Sequence, residues 1–286
     1  MRSIPEFFHD LGPSIQLAAR AAVAAGEVIR DGYERVHEID QKGVGDLVSR
    51  VDFEADREAS RILSEDPDQL PILSEELSPE TDDPTQDMWI VDPLDGTTAY
   101  LMSAGRQFSS VLIARRQQNE TSLAITYFPL LDEWFYAVQG RGAWKNGDAL
   151  KMNFQRVTLS DAWIEMNQYG DANFETSFFA NARARLRAPG AARIVTSTFP
   201  HAGVAMRIAE QSSGLTMAIH DNNPDSLKQG PWDIAANQLI FEEAGGLCLN
   251  PDGERTSPFV AEPIIIAPTQ SLADELLKVC QTLRRV

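Results

Sequence analysis

The stretch Trp89-Ile90-Val91-Asp92-Pro93-Leu94-Asp95-Gly96-Thr97-Thr98 constrains this chain more than any other. Its first three residues are large and apolar, a pattern that predicts a buried strand. The strand delivers two carboxylates three residues apart, with Pro93 fixing the backbone between them and Gly96 freeing it afterwards. That arrangement can point Asp92, Asp95 and the Leu94 carbonyl toward one centre, an all-oxygen set of the kind that hard divalent cations such as magnesium bind. Gly96 and Thr97 then open a helical turn whose backbone N–H groups can face a phosphate. A plainer alternative stands beside this one: Asp, Pro and Gly are ordinary turn residues, so Asp92 and Asp95 also suit a simple cap and turn.

Around that stretch the period of the apolar residues divides the chain. Helical spacing over 10–36 (Leu11, Ile15, Ala18, Ala19, Ala22, Val23, Gly26) predicts a long N-terminal helix, and 52–63 a second one after a glycine-containing loop at 41–45. Residues 71–76 read as a short strand running into Glu75-Glu76, and 78–87 as a polar loop. Strand patterns follow at 89–91, 108–115, 122–128 and 133–139, with Asn146-Gly147 suited to a tight hairpin. Such a run implies an antiparallel sheet in the first half. The second half alternates, with strands expected at 163–166, 193–195, 215–219, 246–249 and 264–267, and helices at 174–186, 202–211, 233–244 and 271–283. The expectation is an α+β chain with halves at 1–155 and 156–286 and no linker that would make them independent.

Charge narrows the function. With 25 basic and 42 acidic residues the net charge is −17. A surface of that sign repels nucleic-acid backbones and anionic membranes, which argues against a polyanion-binding module. If such a chain handles a phosphate ester, bound cations are the natural source of local positive charge. No run approaches the roughly 20 apolar residues that span a bilayer, and the N-terminus lacks a basic region followed by an apolar one, so a cytoplasmic location is expected. Cys248 and Cys280 stand alone in apolar surroundings and read as inert core thiols.

WIVDPLDGTT resembles the signature of the inositol monophosphatase family, W-I-I-D-P-I-D-G-T-T. Three further pieces fall in the family's order. Asp46-Leu47-Val48-Ser49-Arg50-Val51-Asp52 is similar to its D-L-V-T-x-x-D segment, Ser74-Glu75-Glu76 to its G-E-E-S, and Gly230-Pro231-Trp232-Asp233-Ile234-Ala235-Ala236 to its W-D-x-A-A. Alone, each has a plainer reading: a solvated acidic pair, a packed aromatic beside an N-cap aspartate, and helix-start carboxylates at Asp46 and Asp52.

The resemblance implies a layered α-β-α-β-α fold, with an antiparallel first sheet and a mixed second one, and a homodimer. It implies magnesium-dependent hydrolysis of a small phosphomonoester, an inositol, sugar or polyol phosphate, with two or three Mg2+ ions. Glu75, Asp92 and the Leu94 carbonyl are then ligands of one metal, and Asp92, Asp95 and Asp233 of a second. Asp52, Thr97 and Glu75 become the catalytic candidates, with Asp95, Gly96, Thr97, Thr98 and Asp233 meeting the substrate.

The chain departs from the family pattern at Ser197-Thr198-Phe199-Pro200-His201-Ala202-Gly203, where relatives carry Gly-Ser or Gly-Thr and small residues. His201 there is a candidate contact for a phosphate or sugar hydroxyl, or a loop histidine without a chemical part. The altered wall keeps open an alternative: a catalytically silent relative that binds an anionic metabolite as a regulatory subunit. Asn237 also replaces the glycine common after W-D-x-A-A.

Overall fold

The computed structural model describes residues 2–33, 35, 39–43, 46–79, 81, 83–102, 108–152, 159, 163–167, 193–197, 230–260 and 264–283. Helix α1 (Pro13–Gly32) starts at a proline, whose missing N–H is not needed at the first helical position, and stops where Tyr33 turns extended. Its buried alanines (Ala18, Ala19, Ala21, Ala22, Ala24, Ala25) let it lie close against its neighbours. A hairpin of β1 (Ile39–Gly43) and β2 (Asp46–Ser49) follows, where sequence alone placed a loop at 41–45. The polar, glycine-containing run conceals a strand that is held by its partner and not by its own apolar pattern. Helix α2 (Arg50–Leu63) then opens on Ser49.

Among the described residues seven strands form one sheet in the order β3 (Ile72–Ser74), β4 (Met88–Asp95), β5 (Ser110–Gln117), β6 (Glu120–Phe128), β7 (Glu133–Val138), β8 (Gly142–Lys145) and β9 (Asp148–Leu150). It is antiparallel as expected except at one edge, where β3 pairs parallel with β4. The short helix α3 (Thr97–Leu101) follows β4. At the β8–β9 turn Asn146 and Gly147 both take positive φ, 49° and 92°, the twist a two-residue hairpin requires.

Strand alternation sorts the sheet's side chains to two cores. Trp89, Val91, Val111, Ile113, Ile125 and Tyr127 pack with α1 and α2. Ile90, Leu112, Ala114, Ala124, Phe128 and Phe135 pack on the other side against Ala235, Ala236, Leu239 and Ile240 of α4 (Pro231–Glu243). Burying one such Ile, Leu or Phe contributes about 1.5–3 kcal/mol.

Helix α4 is enclosed along its whole length from Ile234 to Phe241, as a helix held between two layers must be. Its far side, Ile234 and Phe241, packs with Cys248, Ile264 and Ile266. These last residues lie in or next to the antiparallel pair β12 (Leu247–Leu249) and β13 (Ile265–Ala267), which α5 (Gln270–Leu283) covers in turn. The layers therefore run α1/α2, sheet, α4, second sheet pair, α5, the α-β-α-β-α order. Strands β10 (Trp163–Asn167) and β11 (Arg193–Ser197) pair in parallel. The strand expected at 215–219 and the helices expected at 174–186 and 202–211 lie outside the described residues. No described helix is long and apolar enough to cross a membrane.

Candidate metal centre

Two aspartates three apart on a regular strand point to opposite faces. Strand β4 avoids this with a bulge: Asp92 pairs with Leu112 and Asp95 with Ser110, so Pro93 and Leu94 together oppose Val111. Proline fits there because a bulged position needs no ladder N–H. The Leu94 N–H donates to Asp92 Oδ1 (3.0 Å) and locks the turn. Gly96 then takes the left-handed conformation, φ 88° and ψ 34°, before α3 begins.

The extra residue puts both aspartates on the face that α4 approaches with its first turn. Asp92, Asp95 and Asp233 bring carboxylate oxygens within 4.8 Å of one another. Ser110 Oγ donates to Asp95 Oδ2 (3.1 Å), and the Gly230 N–H to Asp233 Oδ2 (2.8 Å). Burial, followed by the charges of Glu75, Asp95, Asp233 and Glu76, pushes the Asp92 carboxyl well above the usual carboxylate range. A group of acids that repel one another in this way, offering oxygen ligands alone, fits a hard divalent cation.

Beside the cluster, Thr97 Oγ1 lies 2.7 Å from Asp52 Oδ1 and 3.2 Å from the Leu94 carbonyl oxygen. A hydroxyl has one hydrogen, and the shorter, charged acceptor takes it. Asp52 Oδ2 accepts from both the N–H (2.8 Å) and the hydroxyl (2.7 Å) of Ser49. Burial raises the Asp52 carboxyl, and the hydrogen bonds from Thr97 and Ser49 partly offset that rise.

Residues 10–285 match the model of the inositol monophosphatase family. The chain belongs to the inositol monophosphatase family. It is 31% identical to inositol monophosphatase 2 of Solanum lycopersicum over 84% of this chain and 88% of that one. It is 29% identical to the Nus factor SuhB of Haemophilus influenzae over 94% of this chain and 96% of that one. The crystal structure of the extragenic suppressor protein suhB from Bartonella henselae shares the fold, with a TM-score of 0.78 and 25% identity over 94% of this chain and 98% of that one.

Within this inositol monophosphatase fold, the candidates drawn from sequence fall into two groups. Asp92, Asp95 and Asp233 form the three-carboxylate cluster, and Asp52 and the Leu94 carbonyl meet at the hydroxyl of Thr97, two residues after Asp95. Glu75 is not part of the three-acid group, yet among the charges acting on Asp92 it has the largest effect. Thr98 stands beside Thr97 in the first turn of α3. His201 lies outside the described residues.

Four residues that hold the site were given no such part by the sequence reading, although Asn237 stood out there as a departure from the family's glycine. They are Ser49 on Asp52, Ser110 on Asp95, Asn237 on the Asp233 carbonyl (2.9 Å), and Asp56 on the turn after Glu75. Ser49 was legible as an N-cap three residues before an acid, and Asp56 as the residue one helical turn after Asp52. No local pattern marks Ser110, and Asn237 showed only as a departure from the family's glycine.

Proposed function

We propose that this chain is a magnesium-dependent phosphatase that hydrolyses a small phosphomonoester, an inositol, sugar or polyol phosphate, by attack of an activated water. The observation that carries the reading is the Asp52–Thr97 hydrogen bond (2.7 Å), made two residues after Asp95 of the carboxylate cluster. A plain cation-storage site has no use for a hydroxyl held by a buried acid.

In this reading Glu75, Asp92 and the Leu94 carbonyl hold one magnesium ion, and Asp92, Asp95 and Asp233 a second. Bound there, magnesium supplies Lewis acidity that lowers the pKa of water and offsets the phosphate charge. Asp52 keeps the Thr97 hydrogen turned toward itself, which leaves an Oγ1 lone pair to accept a hydrogen from the attacking water. As the water oxygen bonds to phosphorus, the ester P–O bond breaks and the alcohol leaves as an alkoxide that takes a proton from solvent, while the water's proton passes to Thr97 Oγ1 and the Thr97 proton to Asp52. Gly96, Thr97 and Thr98 would offer backbone N–H groups to the phosphate oxygens, with His201, which lies outside the described residues, carried from the sequence as a candidate substrate contact.

The experiment is phosphate release from inositol 1-phosphate, fructose 1,6-bisphosphate, histidinol phosphate, 3′-phosphoadenosine 5′-phosphate and glycerol 2-phosphate, with and without magnesium, beside Asp95→Asn. Magnesium-dependent turnover that the variant lacks supports the reading. The likeness to a protein named as a Nus factor favours a second one, a regulatory subunit that binds an anionic metabolite. Metabolite binding with no release from any ester would select it.

A further inference from the structure

Helix α2 carries a second buried carboxylate that the mechanism above leaves unused. Asp56 is fully enclosed, and among the described residues no arginine or lysine forms an ion pair with it. Its partners are donors of another kind. Oδ2 accepts from the N–H groups of Glu76 (3.2 Å) and Leu77 (3.1 Å), and Oδ1 from the Ser60 hydroxyl (2.9 Å). An enclosed carboxylate needs such donors in place of water.

The two amides it binds follow Glu75 directly in the chain. The Glu75 N–H itself donates to the Val91 carbonyl of β4 (3.2 Å). Glu75 is therefore fixed from both sides, by the strand that carries Asp92 and by Asp56. One turn earlier on the same face of α2, Asp52 holds Thr97. A single helix thus sets the hydroxyl and the Glu75 turn against each other.

We propose that Asp56 is the positioning residue for Glu75, holding the 75–77 turn in its metal-accepting place before a cation arrives. The proposal rests on the reading of Glu75 as a magnesium ligand. Asp56 touches neither metal nor substrate and acts only through the turn.

The test is magnesium binding, measured by calorimetry without substrate, on wild type, Asp56→Ala and Asp56→Asn. Loss of the partners that orient metal ligands weakens affinity about 10- to 100-fold, and Asp56→Ala is expected in that range. Asp56→Asn is expected to stay within about threefold, because its amide oxygen still accepts from the turn while its NH2 donates to Ser60. Melting temperature in EDTA reports the fold separately. A lowered melting temperature with unchanged magnesium affinity in Asp56→Ala overturns the proposal.

Should Asp56→Ala fail to fold, amide exchange in the metal-free wild type decides. Glu76 and Leu77 are expected to exchange as slowly as the amides of α2. Fast exchange that slows only on adding magnesium would mean that the cation orders the turn, and would overturn the proposal. A wild type that binds no magnesium sinks the functional reading instead, and the exchange rates still report whether Asp56 holds the turn.

Discussion

Asp52 and Asp233 occupy the same third position of two helices that pack on opposite faces of the sheet, and each turns one carboxylate oxygen back to its own helix's N-cap residue. Oδ2 of Asp52 accepts from the Ser49 N–H and Oδ2 of Asp233 from the Gly230 N–H, both at 2.8 Å. Capping and site geometry are thus one arrangement. A capped first turn fixes the side chain that the chemistry needs, and β4, lying between the two helices, brings Asp92 and Asp95 to meet them.

The Asp52–Thr97 pair gives the first prediction. Thr97→Val removes the hydroxyl and keeps the shape, so kcat is expected to fall about 10²- to 10⁴-fold while magnesium affinity by calorimetry stays unchanged. Thr97→Ser is expected to remain within about tenfold of wild type, since its Oγ reaches Asp52 in the same way. Turnover in Thr97→Val close to that of wild type would show that the hydroxyl does not matter.

Asp92 gives a prediction about stability and pH. Burial and four neighbouring acids raise its carboxyl well above the ordinary 3.8. A pKa higher in the folded than in the unfolded state means that the folded state holds the proton more tightly. Its contribution to stability is therefore full below about pH 4 and is lost as pH rises through the folded value, by about 1.4 kcal/mol for each tenfold difference in proton affinity. Asp92→Asn cannot ionise. In EDTA at neutral pH it is expected to melt above wild type, with the gap closing toward about pH 4, and added magnesium is expected to reverse the order. A variant that melts below wild type in EDTA at every pH would sink this account.

These dependences also mark where sequence was legible. The strand at 89–91 and the freedom Gly96 gives the backbone follow from local chemistry, whereas the sequence reading put a turn at 92–95 where β4 runs on through a bulge, and began α4 at 233 where it opens on Pro231. The short strand expected within 71–76 is β3, but its parallel pairing with β4 did not show, nor did the hairpin at 39–49, because such pairing is set by neighbours across the sheet and not by a strand's own pattern. The same holds in the site. Asp56 gains its meaning from an amide 20 residues away, Ser110 from an acid 15 away and Asn237 from a threonine 111 away.

Gly26 shows how closely α1 lies on the sheet. A Cβ at this position would meet Tyr127 Cε1 at 2.7 Å. The ring cannot retreat, since it stacks on Trp134 with centroids 3.8 Å apart. Its hydroxyl accepts from Arg30 Nη1 (2.6 Å) and donates to Asp132 Oδ1 (2.9 Å). Overpacking costs about 1–3 kcal/mol, against the roughly 1 kcal/mol that Ala gains over Gly in a helix. Gly26→Ala is expected to melt a few degrees lower, with phosphatase activity unchanged well below the transition. A raised melting temperature would mean that α1 shifts freely.

Asn237 and Thr126 couple the two sides of the site mechanically. Thr126 Oγ1 on β6 donates to Asn237 Oδ1 (2.9 Å), and Asn237 Nδ2 donates to the carbonyl of Asp233 (2.9 Å). Both side chains are buried, so either single truncation strands a polar group that water does not reach, at about 1–3 kcal/mol. Asn237→Ala leaves the Thr126 hydroxyl alone, and Thr126→Val leaves the Asn237 oxygen alone. The double variant leaves neither, so its loss of stability in urea melts is expected to fall short of the sum of the singles by about 1 kcal/mol. Additive losses would mean that the two groups act separately. The coupling would then not be what ties the first turn of α4, and Asp233 with it, to the sheet that carries Asp92 and Asp95.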